Sequence, residues 1–277
     1  MSKVHPSIFV TLVGAGPGDP ELLTLKAVKA LQTATVILVD DLVHADVLKH
    51  ANTSARIIHV GKRGGCQSTP QAFIEKLMVQ EARSGETVVR LKGGDPMLFG
   101  RAGEELTYLQ SQGVGVQVIN GVTAGLAAAN TLGLSLTHRA FSHGTVFVTG
   151  HASSAQAAMP SIDWEMLGRT AHTCRLTLVI YMGVSSAQAM QTSLLKSLPA
   201  NTPIAVVENA SMPKQRSIVG ELHNLHALLT SENISSPAIM VVGDVLQALQ
   251  SLHKENTEDN QAFGDWIAAW KQNVSTT

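Results

Sequence analysis

The sequence has little charge. Lys and Arg number 20 and Asp and Glu 21, which is 15% of 277 residues and a formal net charge of −1. A nucleic-acid-binding protein needs a basic surplus, and none is present. No apolar run approaches the roughly 20 residues of a membrane span. The opening "MSKVHPSIFVTLVGAG" lacks a signal-peptide layout, because its apolar run leads into a glycine loop and not into a small-residue cleavage site. Cysteine is scarce too. Cys66 and Cys174 stand far apart in unrelated contexts and read as two reduced thiols of a cytoplasmic protein.

What is present is glycine, 23 residues of it, set between apolar runs in a chain that is 44% hydrophobic. "IFVTLVG", "TVILVD", "RIIHVG", "TVVRLKG" and "VQVING" are short and rich in β-branched residues, and they read as strands. Helical patterns separate them. In "TPQAFIEKLMVQEARSG" the expected N-cap is Thr69, with Pro70 in the first turn and Gly85 past the end. Another helix is expected from about Arg101 to Gln112. Strand–helix alternation with continuous apolar strands predicts a mostly parallel sheet covered on both faces. The polar segment "SLTHRAFSHG" breaks the rhythm, and a second strand set follows it. There "VENASMPKQRSIVG" joins two strands by a short turn, which predicts antiparallel pairing. The expectation is two α/β domains, 1–138 with a mostly parallel sheet and 144–250 with a mixed one. A tail over 251–277 includes a short amphipathic "DWIAAWKQ" helix.

The first glycine loop, "LVGAGPGDPELLT", imitates a dinucleotide fingerprint without matching it. Gly14 and Gly16 fit G-x-G-x-x-G, but the next glycine is Gly18, one position early, and Asp19 fills the required site. Pro17 has no N–H to offer a pyrophosphate, and Asp19 would set a carboxylate where a phosphate binds. Asp40 only resembles the ribose-binding acid. The loop does suit a tight strand-to-helix passage, with Asp19 as a cap and Pro20 in the first turn. Two further glycine clusters, in "VVRLKGGDPMLFGRAGEE" and "NGVTAGLAAANTLGLSLTHR", also start at predicted strand ends. Ligands of open α/β sheets bind there, so the three loops would converge on one crevice.

The motifs "VGAGPGDPELLTLKA", "VGKR", "VVRLKGGDPMLFGRAGEE", "GVTA", "LTHR", "VTGH", "YMG" and "AVVENA" occur in this order. In them the chain resembles the uroporphyrinogen-III C-methyltransferases of the tetrapyrrole methylase superfamily, over roughly residues 8–245. "GAGPGDP" alone marks only the superfamily, and "KGGDPMLFGRAGEE" with "LTHR" narrows it. The resemblance implies two α/β domains of the class III methyltransferase type, with S-adenosylmethionine in the cleft between them, no metal, and a cytoplasmic homodimer of the stand-alone form. It implies methylation of uroporphyrinogen III at C-2 and C-7, giving precorrin-2 and S-adenosylhomocysteine for siroheme or cobalamin. No nucleic-acid or membrane partner is implied. The sequence departs from the commoner pattern at Asn120, at Gly65-Cys66-Gln67, at Val39 and at Ala210.

By that resemblance Pro17, Gly93, Gly94, Asp95, Leu98, Thr123, Ala124, Met182, Ala210 and Ala238 contact the donor. Asp95 either accepts from a donor ribose hydroxyl or ammonium, or caps the Pro96 turn. Met182 is a donor contact or a core gap-filler. The acceptor carries acetate and propionate groups, so local cations are needed. Arg101, Arg139, Lys62 and Arg63 stand at or just after predicted strand ends, and an arginine fork grips a carboxylate bidentately. Glu104 pairs with Arg101 or accepts from pyrrole N–H groups. Ring-carbon methylation requires a proton to leave, and Asp40 is the first candidate base, with Lys62 as its acid or electrostatic partner. In the alternative Asp40 caps a helix. His151 is a further polar candidate, with a core or turn role as the alternative. The rival functions are a methylase of a later precorrin, a nucleotide-dependent oxidoreductase and a noncatalytic binding module.

Overall fold

The computed structural model describes residues 8–61, 69–150 and 162–248. Lys62, Arg63, Cys66, His151 and the "DWIAAWKQ" segment lie outside the described residues. The chain divides into two compact units, Met1–Ala128 with Asn209–Arg216, and Ala129–Glu208 with Ser217–Thr277.

The first unit carries a five-stranded sheet of β1 (Phe9–Gly14), β2 (Val36–Val39), β3 (Arg56–His59), β4 (Val88–Lys92) and β5 (Gly115–Ile119). The order is β3-β2-β4-β1-β5 and every ladder is parallel. In the inner strands the side chains alternate between two buried faces, which is why these runs are mostly apolar, while edge strand β3 is largely exposed. Val10, Leu12, Val36, Leu38 and Val88 meet α2 (Gln71–Arg83) and α3 (Ala102–Ser111) on one face. Val13, Ile37, Val39, Val89 and Leu91 meet α1 (Leu25–Thr33) on the other. Full burial of side chains such as Leu12 and Leu38 stabilises by roughly 1.5–3 kcal/mol each. The expected Thr69 cap is not formed. Pro70 takes the cap position with extended ψ (137°) and no side-chain bond, so α2 begins at Gln71. Gly85 ends the helix with φ +87°. A fourth helix, α4 (Ala124–Thr131), follows β5, and the division between units falls within it.

The order of this sheet reverses between neighbours. The chain leaves β1 through α1 toward β2 on one side, and leaves β4 through α3 toward β5 on the other. A crevice at the carboxyl ends of β1 and β4 is where an open α/β sheet takes its ligand.

The second unit carries β6 (Gly144–Thr149), β7 (Leu176–Tyr181), β8 (Pro203–Glu208), β9 (Arg216–Glu221) and β10 (Ala238–Val242) in the order β6-β7-β10-β8-β9. β6 and β7 are parallel, while β10 runs antiparallel to both β7 and β8, so this sheet is mixed. Leu178, Ile180, Ile204, Val206, Met240 and Val242 form one core with α5 (Trp164–Thr173), α6 (Ala187–Leu194) and α7 (Leu225–Ser231).

The ends of β1, β4 and β5 touch through backbone. A Cβ at Gly14 would fall 2.5 Å from the Gly121 nitrogen and 2.7 Å from the Gly94 oxygen, both immovable peptide atoms. Gly103, in the first turn of α3, has nothing within 4 Å of its own Cβ position. Gly14→Ala should therefore destabilise by about 1–3 kcal/mol through overpacking. Gly103→Ala should stabilise by about 0.5 kcal/mol through helix entropy. Paired denaturant melts check this, and equal midpoints for the two variants contradict the close approach.

Candidate active site

The loop after β1 and the loop after β4 are stitched together by peptide groups. Ala15 donates its N–H to the Lys92 carbonyl (2.8 Å). Gly16 and Gly94 exchange hydrogen bonds of 3.2 and 2.7 Å. Both glycines hold left-handed backbone, φ +71° and +67°. Asp19 behaves as read from sequence, accepting from the Glu21 N–H (2.9 Å) to cap a short helix at Pro20–Leu22. The Asp19 N–H donates to Ser211 Oγ (3.2 Å), which joins the Asn209–Arg216 segment, and with it Ala210, to this unit.

Asp95 ties in the third loop. Its Oδ1 accepts from the Met97 N–H (2.8 Å), and its Oδ2 accepts from the Gly121 N–H (3.1 Å) and from Asn120 Nδ2 (3.2 Å). The capping alternative for Asp95 is thus present, and the carboxylate also clamps two loops. A Cβ at Gly94 would lie 3.9 Å from the Ala124 nitrogen and the Thr123 Cα. Pro17, Gly93, Gly94, Asp95, Leu98, Thr123 and Ala124 therefore all lie on three joined loops. In the second unit, Met182 follows β7 and Ala238 starts β10, at the same end of the sheet, because Ile239 pairs with Tyr181. Met182 has φ +54° and is 47% exposed, which excludes its reading as a core filler.

The charged candidates divide by burial. Arg101 stands at the start of α3 with φ +56°. Its Nε and Nη2 donate to the two oxygens of Glu104 (2.9 and 2.6 Å). This exposed bidentate pair raises the Arg101 pKa and lowers that of Glu104. Arg139 is exposed and has no ion pair among the described residues. Asp40 follows β2 and no helix starts at it, so the helix-cap alternative is not realised. Its Oδ1 accepts from the Asp41 N–H (3.0 Å), and its Oδ2 lies 3.5 Å from Arg90 Nη2. Lys62, read as its electrostatic partner, and His151 lie outside the described residues.

Sequence reasoning missed a buried charge cluster behind Asp40. Glu105 is fully buried, and Arg90 and Lys92 are 2% and 3% exposed. Glu105 Oε1 accepts from Arg90 Nε (3.2 Å), Lys92 Nζ (3.1 Å) and Gln71 Nε2 (3.2 Å). Lys92 Nζ is also 3.1 Å from Oε2, which has no hydrogen bond of good geometry. Burial, and then the Arg90 charge, hold the Lys92 pKa below its usual value. The signal was legible. Two cations two residues apart in a buried strand both face α2 and α3, and Glu105 shares the inner side of α3 with Ala102 and Leu109. Among the described residues no group of three His, Cys, Asp or Glu could hold a metal ion, and no helix is long and apolar enough to cross a membrane.

Comparison with known proteins adds to this geometry. The profile of the family described as Tetrapyrrole (Corrin/Porphyrin) Methylases matches residues 10–226. The uroporphyrinogen-III C-methyltransferase of Pseudomonas aeruginosa is 49% identical over 243 residues, 87% of this chain and 96% of that one. The crystal structure of the native uroporphyrin III C-methyl transferase from Thermus thermophilus superposes with a TM-score of 0.72 at 38% identity, over 86% of this chain and 93% of that one. The same Thermus thermophilus enzyme complexed with S-adenyl homocysteine gives 0.71 at 39% identity, over 86% and 99%.

Two carboxylates near this cluster should respond to pH in opposite senses. Burial raises the pKa of Glu75, on α2, above its ordinary value of 4.5. The folded state then binds the proton more readily than the unfolded chain, and the ionised form costs stability as pH rises past 4.5. Glu104 is depressed by Arg101, so its contribution is fully present above pH 4.5 and is lost as pH falls through the lower folded value. At pH 7 Glu75→Gln should raise Tm and Glu104→Gln should lower it slightly, less so in high salt. Both differences should shrink below pH 4.5. Melting curves from pH 3.5 to 8 test the signs.

Proposed function

The chain belongs to the tetrapyrrole (corrin/porphyrin) methylases, and from that premise we propose that it is an S-adenosylmethionine-dependent uroporphyrinogen-III C-methyltransferase. It methylates two ring carbons, C-2 and C-7, and yields precorrin-2 and S-adenosylhomocysteine. The near full-length likeness to the Pseudomonas aeruginosa enzyme carries this reading. The joined glycine loops at the β1/β4 reversal support it.

The loops fit such a donor. They are lined by peptide groups and small residues, and Gly94 leaves room for close approach beside Thr123 and Ala124. When bound, S-adenosylmethionine supplies an electrophilic methyl group on a sulfonium. In our reading Pro17, Gly93, Gly94, Asp95, Leu98, Thr123, Ala124 and Ala210 orient it, and Met182 and Ala238 are further donor contacts. Holding reactants aligned can supply on the order of 7–11 kcal/mol at best. Arg101 and Arg139 grip acceptor carboxylates, and Glu104 holds the Arg101 fork in place until an acceptor carboxylate displaces it. Asp40 takes the proton released by the methylated ring. Lys62 and His151 are kept as polar partners on the resemblance alone. A homodimer in the cytoplasm is part of the same reading and rests on the resemblance alone.

Incubation with uroporphyrinogen III and labelled S-adenosylmethionine should add two methyl groups by mass. No gain in mass, with methylation of a later precorrin instead, would sink the substrate. Asp40→Asn should lower turnover by about 10²–10⁴-fold, the usual share of a general base, while still binding S-adenosylhomocysteine. Normal turnover in a folded variant would leave Asp40 structural.

The arginines give a separate test. Arg101→Ala and Arg139→Ala should each weaken acceptor use by roughly ten- to a hundredfold, the worth of a charge-assisted bond. Donor affinity should stay within about twofold, as read by calorimetry. An equal loss of donor affinity would remove them from the acceptor side.

A further inference from the structure

Arg90 is out of place by packing alone. It sits in a central strand, paired in register with Leu12 of β1 and Leu38 of β2, and both of those neighbours are apolar and fully buried. A buried ion pair seldom stabilises more than well-packed apolar residues of the same volume. What Arg90 offers that a leucine would not is reach. Its Nε is held by Glu105 Oε1 at 3.2 Å. Its Nη1 donates to the Leu38 and Leu91 carbonyls, both at 3.4 Å. Its Nη2 points at Asp40 Oδ2, 3.5 Å away. Asp40 lies two residues beyond Leu38, so β2 delivers it to the face that Arg90 occupies. The carboxylate is 36% exposed, while the arginine side chain behind it is 3% exposed. Glu105 is fixed in turn by Lys92 and Gln71.

We propose that Arg90, locked by Glu105, is a positioning residue that aims the Asp40 carboxylate at the acceptor. This rests on the reading of Asp40 as the base. Arg90 itself touches no reacting atom. It acts by holding Oδ2 while the Asp41 N–H holds Oδ1, which leaves Asp40 one orientation. Lysine cannot replace it, because a single ammonium cannot reach Glu105, the two carbonyls and Asp40 together.

The test is a double-mutant cycle on the full chain with Asp40→Asn, Arg90→Lys and the double variant. It reads single-turnover methylation of uroporphyrinogen III, calorimetric affinity for S-adenosylhomocysteine, and Tm. Arg90→Lys should slow methyl transfer about tenfold or more, the scale on which misplacing a group acts, with donor affinity within about twofold. In the Asp40→Asn background it should slow transfer no further, because residues acting as one unit are not additive. A structural role would cost the same factor in both backgrounds, and that result overturns the proposal. Wild-type turnover by Asp40→Asn overturns the reading of Asp40 instead, whatever Arg90→Lys does. If Arg90→Lys does not fold, the guanidinium signals of Arg90 in the wild type and in Asp40→Asn decide. The Arg90 guanidinium ¹⁵N signals should shift when Asp40 is neutralised, and unchanged signals overturn the contact.

Discussion

The peptide-to-peptide closure of three strand-end loops is the constraint on which the first unit depends. Gly16 and Gly94 exchange hydrogen bonds, and a Cβ on Gly14 or Gly121 would fall within 2.9 Å of facing backbone atoms, so neither could change without backbone movement, while Gly94 is constrained by its left-handed φ of +67°. Side chains could not make this contact, since each would push the loops apart. The closure holds the ends of β1, β4 and β5 together where the strand order reverses. It also explains why glycine is spent there while the buried faces of the strands are mostly large apolar residues, with Arg90 and Lys92 of β4 the exceptions. Asp95 completes the closure from the side by clamping Gly121. A carboxylate accepts about four hydrogen bonds, and Asp95 uses three within the protein. The same group can therefore hold the loops and still accept one bond from a ligand.

Much of this was legible in the sequence, and for physical reasons. A parallel strand buried on both faces is expected to be apolar along most of its length, which makes "TVILVD" unmistakable, and "TVVRLKG" legible despite its two buried cations. The end of α2 was marked by Gly85 because the chain turns left-handed there. Its start was misread. Thr69 is a good capping residue by type, but Pro70 adopts extended backbone and occupies the cap itself. Left-handed backbone at Phe99, Arg101, Met182 and Asn209 was invisible, because none of these residues announces positive φ as glycine does.

The candidate site was read more fully in its loops than in its charges. Glycine spacing can be read along a line, and loop closure follows from it. Charge partners depend on register and on helix packing. Lys62, the expected partner of Asp40, lies outside the described residues, and among the described ones Asp40 pairs with Arg90, fifty residues on and one strand over. That partnership depends on the β2–β4 register, which no local pattern encodes. Glu105 lay in plain view within "FGRAGEE", next to Glu104, and only the helical period separates them. Glu105 turns inward with Ala102 and Leu109, and Glu104 turns outward to Arg101.

Adjacent glutamates thus do opposite work, and burial decides which. Arg101–Glu104 is an exposed pair with ideal bidentate geometry. Such pairs contribute about 0.2–1 kcal/mol and are screened by salt. An incoming carboxylate can exchange with Glu104 at little cost, since Arg101 only swaps one anion for another. Glu105 is the reverse case. It has no access to solvent, and two cations and an amide converge on it. Removing one partner of a buried pair typically costs about 3–5 kcal/mol, because it strands a charge in a low dielectric. The buried cluster is therefore rigid and the exposed pair is exchangeable. A site that must hold one carboxylate fixed and release another needs both, and α3 supplies them from neighbouring residues on its opposite sides.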